Sequence, residues 1–183
     1  MMETTLFNPY KYLAGIKACL LGTVVILLTS IIAWSSGTHF DGIIDVHAGL
    51  KAKYSVFLTE GFVNWVITVF IFYILGVLFS KSKIRFIDVL GTFSLARYPL
   101  LISAMIGFIP LANMYNPYSI SPTLVSISLL AILVNAWMIA LLYNAYSISC
   151  NIKGYRLIIS FIAGIFIAEL ISKIVLSWIY LHI

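Results

Sequence analysis

The chain has 183 residues, 62% of them hydrophobic and 9% charged, with a mean hydropathy of +1.09. Eleven basic and six acidic side chains cannot solvate a globule of this size, since roughly a quarter of a soluble domain is ordinarily charged; a soluble domain and a disordered chain are both excluded. The net charge of +5 is informative through its distribution over loops, and is not a nucleic-acid footprint.

A bilayer core about 30 Å thick takes roughly 20 apolar helical residues to cross. The first charge-free run places a span at about 18–36, closing at Ser35-Ser36-Gly37. Lys11 and Lys17 precede it as they would a signal peptide, but the run is long and no A-x-A site follows, so it reads as an uncleaved anchor. Next comes His39-Phe-Asp41-x-x-x-Asp45-Val-His47, which gathers four metal-ligand types in nine residues. Imidazole and carboxylate donors suit zinc, yet the spacing matches no closed zinc site. Ile43, Ile44, Val46 and Leu50 favour a short amphipathic helix lying on the membrane surface, with no metal bound.

A second span is expected at about 61–80, stopped by Lys81, Lys83 and Arg85. The third, about 89–109, must contain Arg97 and Pro99. The tract from Pro110 to Pro122, with three prolines and two asparagines, reads as a turn. The fourth span follows at about 123–148. The fifth, about 157–180, holds Glu169 and Lys173. The apolar runs are continuous and do not alternate, so the spans are helices and not barrel strands. The expected fold is an all-α membrane bundle of five helices in one domain, residues 1–183, with no internal repeat.

Five crossings put the two termini on opposite sides. Seven basic residues (Lys11, Lys17, Lys81, Lys83, Arg85, Lys153 and Arg156) fall on the N-terminal side, against Lys51, Lys53 and Lys173 on the other. Short basic loops stay cytoplasmic. The expected topology is therefore N-in and C-out, in the inner (plasma) membrane. Cys19 and Cys150 both lie near the inner ends of spans, where a reducing compartment disfavours a disulfide.

His39, His47 and His182 all fall outside the spans, so a haem in the bundle finds no axial histidine. There is no H-E-x-x-H, no nucleotide-binding glycine loop and no pair of intramembrane acids. The expectation is a chain that is not an enzyme, with no catalytic, cofactor or metal residues. Polar groups inside spans are the sharper signal, because each ionised one costs about 2.5–3.5 kcal/mol on insertion scales. Arg97 and Glu169 fall at depths of about 12 and 18 Å at the helical rise. That difference is within reach of an arginine side chain, so a pair clamping the third span to the fifth is expected. Lys173 lies one turn beyond, where it can snorkel or share Glu169. Asn135 and Asn144 are placed to hydrogen-bond across helices, and Ser160, Gly164, Ala168 and Ser172 form a small-residue stripe for close helix approach. The alternative reading makes Arg97 and Glu169 the polar site of a small transporter or channel subunit.

Three motifs carry a family resemblance: Phe7-Asn-Pro-Tyr-Lys-Tyr-Leu13, Gly91-Thr-Phe-Ser-Leu-Ala-Arg-Tyr-Pro-Leu-Leu101, and Ala145-Tyr-Ser-Ile-Ser149 followed by Lys153-Gly154. In these the chain resembles the bacterial branch of the Yip (Ypt-interacting protein) family. The resemblance implies five spans, a cytoplasmic N-terminus, and a membrane-organising or protein-interaction role. The implied partners are the lipid bilayer and other membrane proteins or further copies of the chain. The D-L-Y-G-P tract of eukaryotic members is not present, so their binding of Rab-type GTPases is not carried over.

Overall fold

A computed structural model describes residues 6–49, 51–109 and 121–182. Most of the Pro110–Pro122 tract, and Leu50, lie outside the described residues. In lipid a backbone must satisfy its own N–H and C=O groups, and the uninterrupted Leu, Ile, Val and Phe runs do so as helices. Among the described residues the main helices are α1 (Gly15–Ser36), α2 (Tyr54–Phe79), α3 (Phe86–Leu95), α4 (Pro99–Ile106), α5 (Pro122–Ser149) and α6 (Gly154–Tyr180), preceded by a 3-10 turn at Pro9–Lys11. α3 and α4 together form one crossing, giving five stretches long and apolar enough to span a membrane. The protein is a multi-pass all-α bundle. α2 starts well before the expected residue 61, which draws Glu60 into the helix.

The third crossing is the central one. Two thirds (67%) of its apolar stretch is buried in the bundle, against at most 33% for any other. It is also broken. Pro99 has no N–H to continue the ladder, and the chain passes Ala96–Tyr98 as a tight turn. Tyr98 and Leu100 N–H groups donate to the Leu95 and Arg97 carbonyls at 3.2 and 3.0 Å, so the backbone stays satisfied through the break.

α1 and α3 approach so closely that side chains are excluded between them. A Cβ on Gly22 would strike the backbone of Ser94 and Leu95, and one on Gly91 would strike the Gly15 carbonyl. Overpacking of this kind costs about 1–3 kcal/mol. Gly91→Ala is therefore expected to lower the resistance to SDS unfolding by that amount, while Gly154→Ala, where a Cβ meets nothing within 4 Å, should lose only what its positive φ imposes. An unchanged SDS resistance in Gly91→Ala would show that the helices do not touch there.

The stripe Ser160, Gly164, Ala168 and Ser172 is buried, and Gly164 lies against Phe72 and Leu75 of α2. It serves contact inside the bundle. Toward the end of the bundle that carries Lys81 and Lys153 the space is filled by rings: Phe72 lies 4.9 Å from both Phe93 and Tyr146 and 5.6 Å from Phe161.

The N-terminal segment is strapped across the third crossing and α5. The Leu6 carbonyl accepts from Tyr98 Oη (2.7 Å) and Trp137 Nε1 (3.0 Å), and the Phe7 carbonyl accepts from Asn144 Nδ2 (2.8 Å). Tyr10, nearly fully buried, donates to the Leu141 carbonyl at 3.1 Å.

Between α1 and α2 the expected amphipathic helix does not form. α1 is closed by Gly37 in the left-handed conformation (φ 72°), with its N–H on the Ala33 carbonyl. There follow two short antiparallel strands, β1 (Thr38–His39) and β2 (His47–Ala48), which pair Thr38 with Ala48 and His39 with His47. Ile43 in the connection is shielded as expected, at 1% exposure. The end of the bundle carrying this segment is called the hairpin end below, and the opposite one the basic end.

Candidate functional site

The hairpin is held by the polar residues of the spans. On α2, Glu60, Asn64 and Thr68 recur every four residues, so they lie along one helix face, and all three are buried. The Glu60 carboxylate has no exposure at all and accepts three hydrogen bonds: from Phe40 N–H (2.8 Å), from Tyr180 Oη (2.7 Å), and in contact with His39 Nδ1 (2.7 Å). One turn deeper, Asn64 donates to the Phe40 carbonyl at 2.5 Å and accepts from Ser172 Oγ at 2.6 Å. The bend at Ile44 is secured from two other helices. Its N–H donates to Glu169 Oε2 (3.0 Å) and its carbonyl accepts from Asn135 Nδ2 (2.6 Å). Gly42 leaves the space into which the Glu169 carboxylate fits.

These assignments correct the expected pair. Among the described residues Arg97 makes no ion pair, and Glu169 sits instead against the Ile44 N–H and within 3.7 Å of Lys173. Arg97 lies at the break of the third crossing, 3% exposed, and its Nη1 has no hydrogen-bond partner. Its guanidinium borders a cavity of about 10 Å³ lined by Thr29, Ser30, Phe40, Gly61 and Leu100, room for about one water. Gly42 and the hairpin hold the Glu169 carboxylate at the Ile44 N–H instead. Asn135 and Asn144 also differ from expectation, bonding to backbone carbonyls of the hairpin and of the N-terminal segment, not to another helix.

Lys173 reaches outward to Asp45 Oδ2 at 2.5 Å. Beside it His47 Nδ1 lies 3.5 Å from Asp41 Oδ1 and 4.0 Å from Asp45 Oδ1. Ligand atoms of Asp41, Asp45 and His47 all fall within 4.8 Å of one another. The imidazole of His47 stacks on that of His39 (centroids 5.8 Å apart, planes at 20°). Over this surface opens a cavity of about 440 Å³ lined by His39, Asp41, His47, Ala52, Val56, Glu60 and Tyr180 among others. Four of the six acidic residues of the chain thus lie at one end of the bundle, and two of them, Asp41 and Glu60, line the cavity with its aromatic and aliphatic walls.

No family model matches the chain, and no curated protein or solved structure does either. Function is therefore argued from this geometry. Glu60, Asn64 and Tyr180 were not singled out from the sequence, and Ser172 only as part of a packing stripe. Glu60 read as the loop residue before a span. The usable signal was the four-residue recurrence of Glu60, Asn64 and Thr68 inside an otherwise apolar run.

Proposed function

We propose that this is a non-enzymatic multi-pass protein of the plasma (inner) membrane, N-in and C-out, that binds a small cationic solute in the cavity at its outer, hairpin end. The observation that carries the reading is the convergence of Asp41 and Glu60 with the rings of His39 and Tyr180 around one 440 Å³ space. Negative charge beside aromatic faces is the environment that holds an ammonium group through Coulomb attraction and cation–π contact. The excess of Lys and Arg at the basic end supports placing that end in the cytoplasm. The ring cluster around Phe72 fills the inner half of the bundle, which favours a receptor over a conduit. The Yip-like motifs agree with a non-enzymatic interaction role.

The test uses Val56→Cys in a chain with Cys19→Ser and Cys150→Ser, labelled in intact cells by a membrane-impermeant maleimide. Tetramethylammonium should slow the labelling. Tyr180→Phe, which keeps the ring, should retain that protection, and Tyr180→Leu should abolish it. Absence of labelling from outside would overturn the orientation, and labelling indifferent to the cation would overturn the ligand class. Accumulation of the cation inside proteoliposomes would replace this reading with that of a small transporter.

A further inference from the structure

Resting on the reading of the hairpin end as a cation-binding surface, we infer that Asp41, Asp45 and His47 form a binding site for one divalent transition-metal ion. Zinc is bound by imidazole and carboxylate at about 2.0–2.2 Å, so two ligands at a tetrahedral angle lie roughly 3.3–3.6 Å apart. The His47 Nδ1 to Asp41 Oδ1 separation of 3.5 Å already has that span, and the 4.0 Å to Asp45 Oδ1 closes to it with a small side-chain movement.

A second observation points to an absent ligand. Asp41 Oδ1 is shielded from solvent and accepts no hydrogen bond. A carboxylate oxygen in that state is rare, because buried acceptors are nearly always satisfied. The oxygen lies 3.5 Å from His47 Nδ1, the other ligand atom of the site.

The surroundings are built to orient the ligands. The β1–β2 pairing sets His47 opposite His39, and ring stacking fixes the plane of its imidazole. Lys173 holds Asp45 through Oδ2, leaving Oδ1 turned to His47. A carboxylate held through one oxygen while the other binds the metal is the usual way such ligands are oriented. The three side chains are between about a third and a half exposed (36%, 38% and 46%), so a hydrated ion can enter and keep a water as its remaining ligand. Two carboxylates and one imidazole suit zinc, manganese or iron(II) better than magnesium or calcium, which favour all-oxygen sites. Lys51 and Lys53 stand exposed in the neighbouring segment and oppose the binding only as screened surface charges.

The protein in nanodiscs, stripped with EDTA, should take up one equivalent of Zn²⁺ in equilibrium dialysis. Asp41→Asn and His47→Ala should each weaken uptake by at least about tenfold, and His182→Ala should leave it unchanged. Lys173→Met, which releases the hold on Asp45 Oδ2, should also weaken it. No uptake by the unaltered protein, or uptake indifferent to Asp41 and His47, would overturn the site. Should either variant fail to fold, Co²⁺ titration of the unaltered protein decides the matter: intense visible bands displaced by Zn²⁺ support the site, and a spectrum like that of the aqueous ion overturns it. If tetramethylammonium still protects Val56→Cys while zinc fails, the metal site falls and the solute pocket stands; if both fail, both readings fall.

Discussion

Glu60→Leu should destabilise the protein by about 3–5 kcal/mol, the range seen when one partner of a buried charged network is removed. The carboxylate is wholly buried and serves the Phe40 N–H, the Tyr180 hydroxyl and the His39 ring together. Leucine matches much of its volume but leaves the buried Phe40 N–H without an acceptor, costing about 1–3 kcal/mol, and frees the Tyr180 hydroxyl, which is exposed enough to turn to water. Glu60→Gln keeps one carbonyl oxygen and should recover a substantial part of the loss. The measurement is unfolding in mixed detergent–SDS micelles, with the fluorescence of Trp34 and Trp178, near the same end, as the local readout. If Glu60→Leu unfolds at the same SDS fraction as the unaltered protein, the hairpin is not fastened through Glu60.

Arg97→Leu should have the opposite sign. An arginine in the middle of a span costs about 2.5–3.5 kcal/mol on insertion scales unless it is paired, and Arg97 has no ion pair among the described residues. Replacing buried charge by well-packed apolar residues is neutral or stabilising by about 1–4 kcal/mol, less the cost of enlarging the small cavity beside Thr29 and Ser30. Glu169→Leu, by contrast, strips the acceptor from the Ile44 N–H and should destabilise. The two make no ion pair, but Glu169 is near enough to act on Arg97 electrostatically, so the double variant should depart from additivity by less than direct contact gives, under about 1 kcal/mol. A loss in Arg97→Leu that Glu169→Leu rescues would mean the two do pair in the bilayer, and the placement of Glu169 on the hairpin would be wrong.

The five spans were legible because lipid imposes one rule on every residue of a crossing: no charge, and a backbone that satisfies itself. Long charge-free runs have no other solution. The hairpin was not legible. Ile43, Ile44 and Val46 have the spacing of an amphipathic helix, and nothing local contradicts it. What decides against it are bonds to the Phe40 and Ile44 backbones from Glu60, Asn64, Asn135 and Glu169, as many as 125 residues distant in sequence. The same holds for the polar residues within spans. Their existence and depth follow from the sequence, but their partners depend on which way the loop folds, and depth alone paired Arg97 with the wrong group. Lys173 illustrates the limit: snorkelling toward the interface was foreseen, while its anchor on Asp45 needed the hairpin in place.

The N-terminal strap carries a consequence for the order of synthesis. Leu6 and Tyr10 leave the ribosome first, yet Trp137 and Leu141, to which they bond, lie 131 residues later. At the usual 5–20 residues per second, about 7–26 s pass before those partners exist. Through that interval the segment waits at the membrane surface with Phe7 and Tyr10 uncovered, and the three earlier crossings lack the element that holds Tyr98 from the other side. The bundle therefore locks late, when α5 inserts. A pause in translation between α4 and α5 would prolong the half-assembled state, in which exposed aromatic residues invite capture by an insertase or removal by a membrane protease.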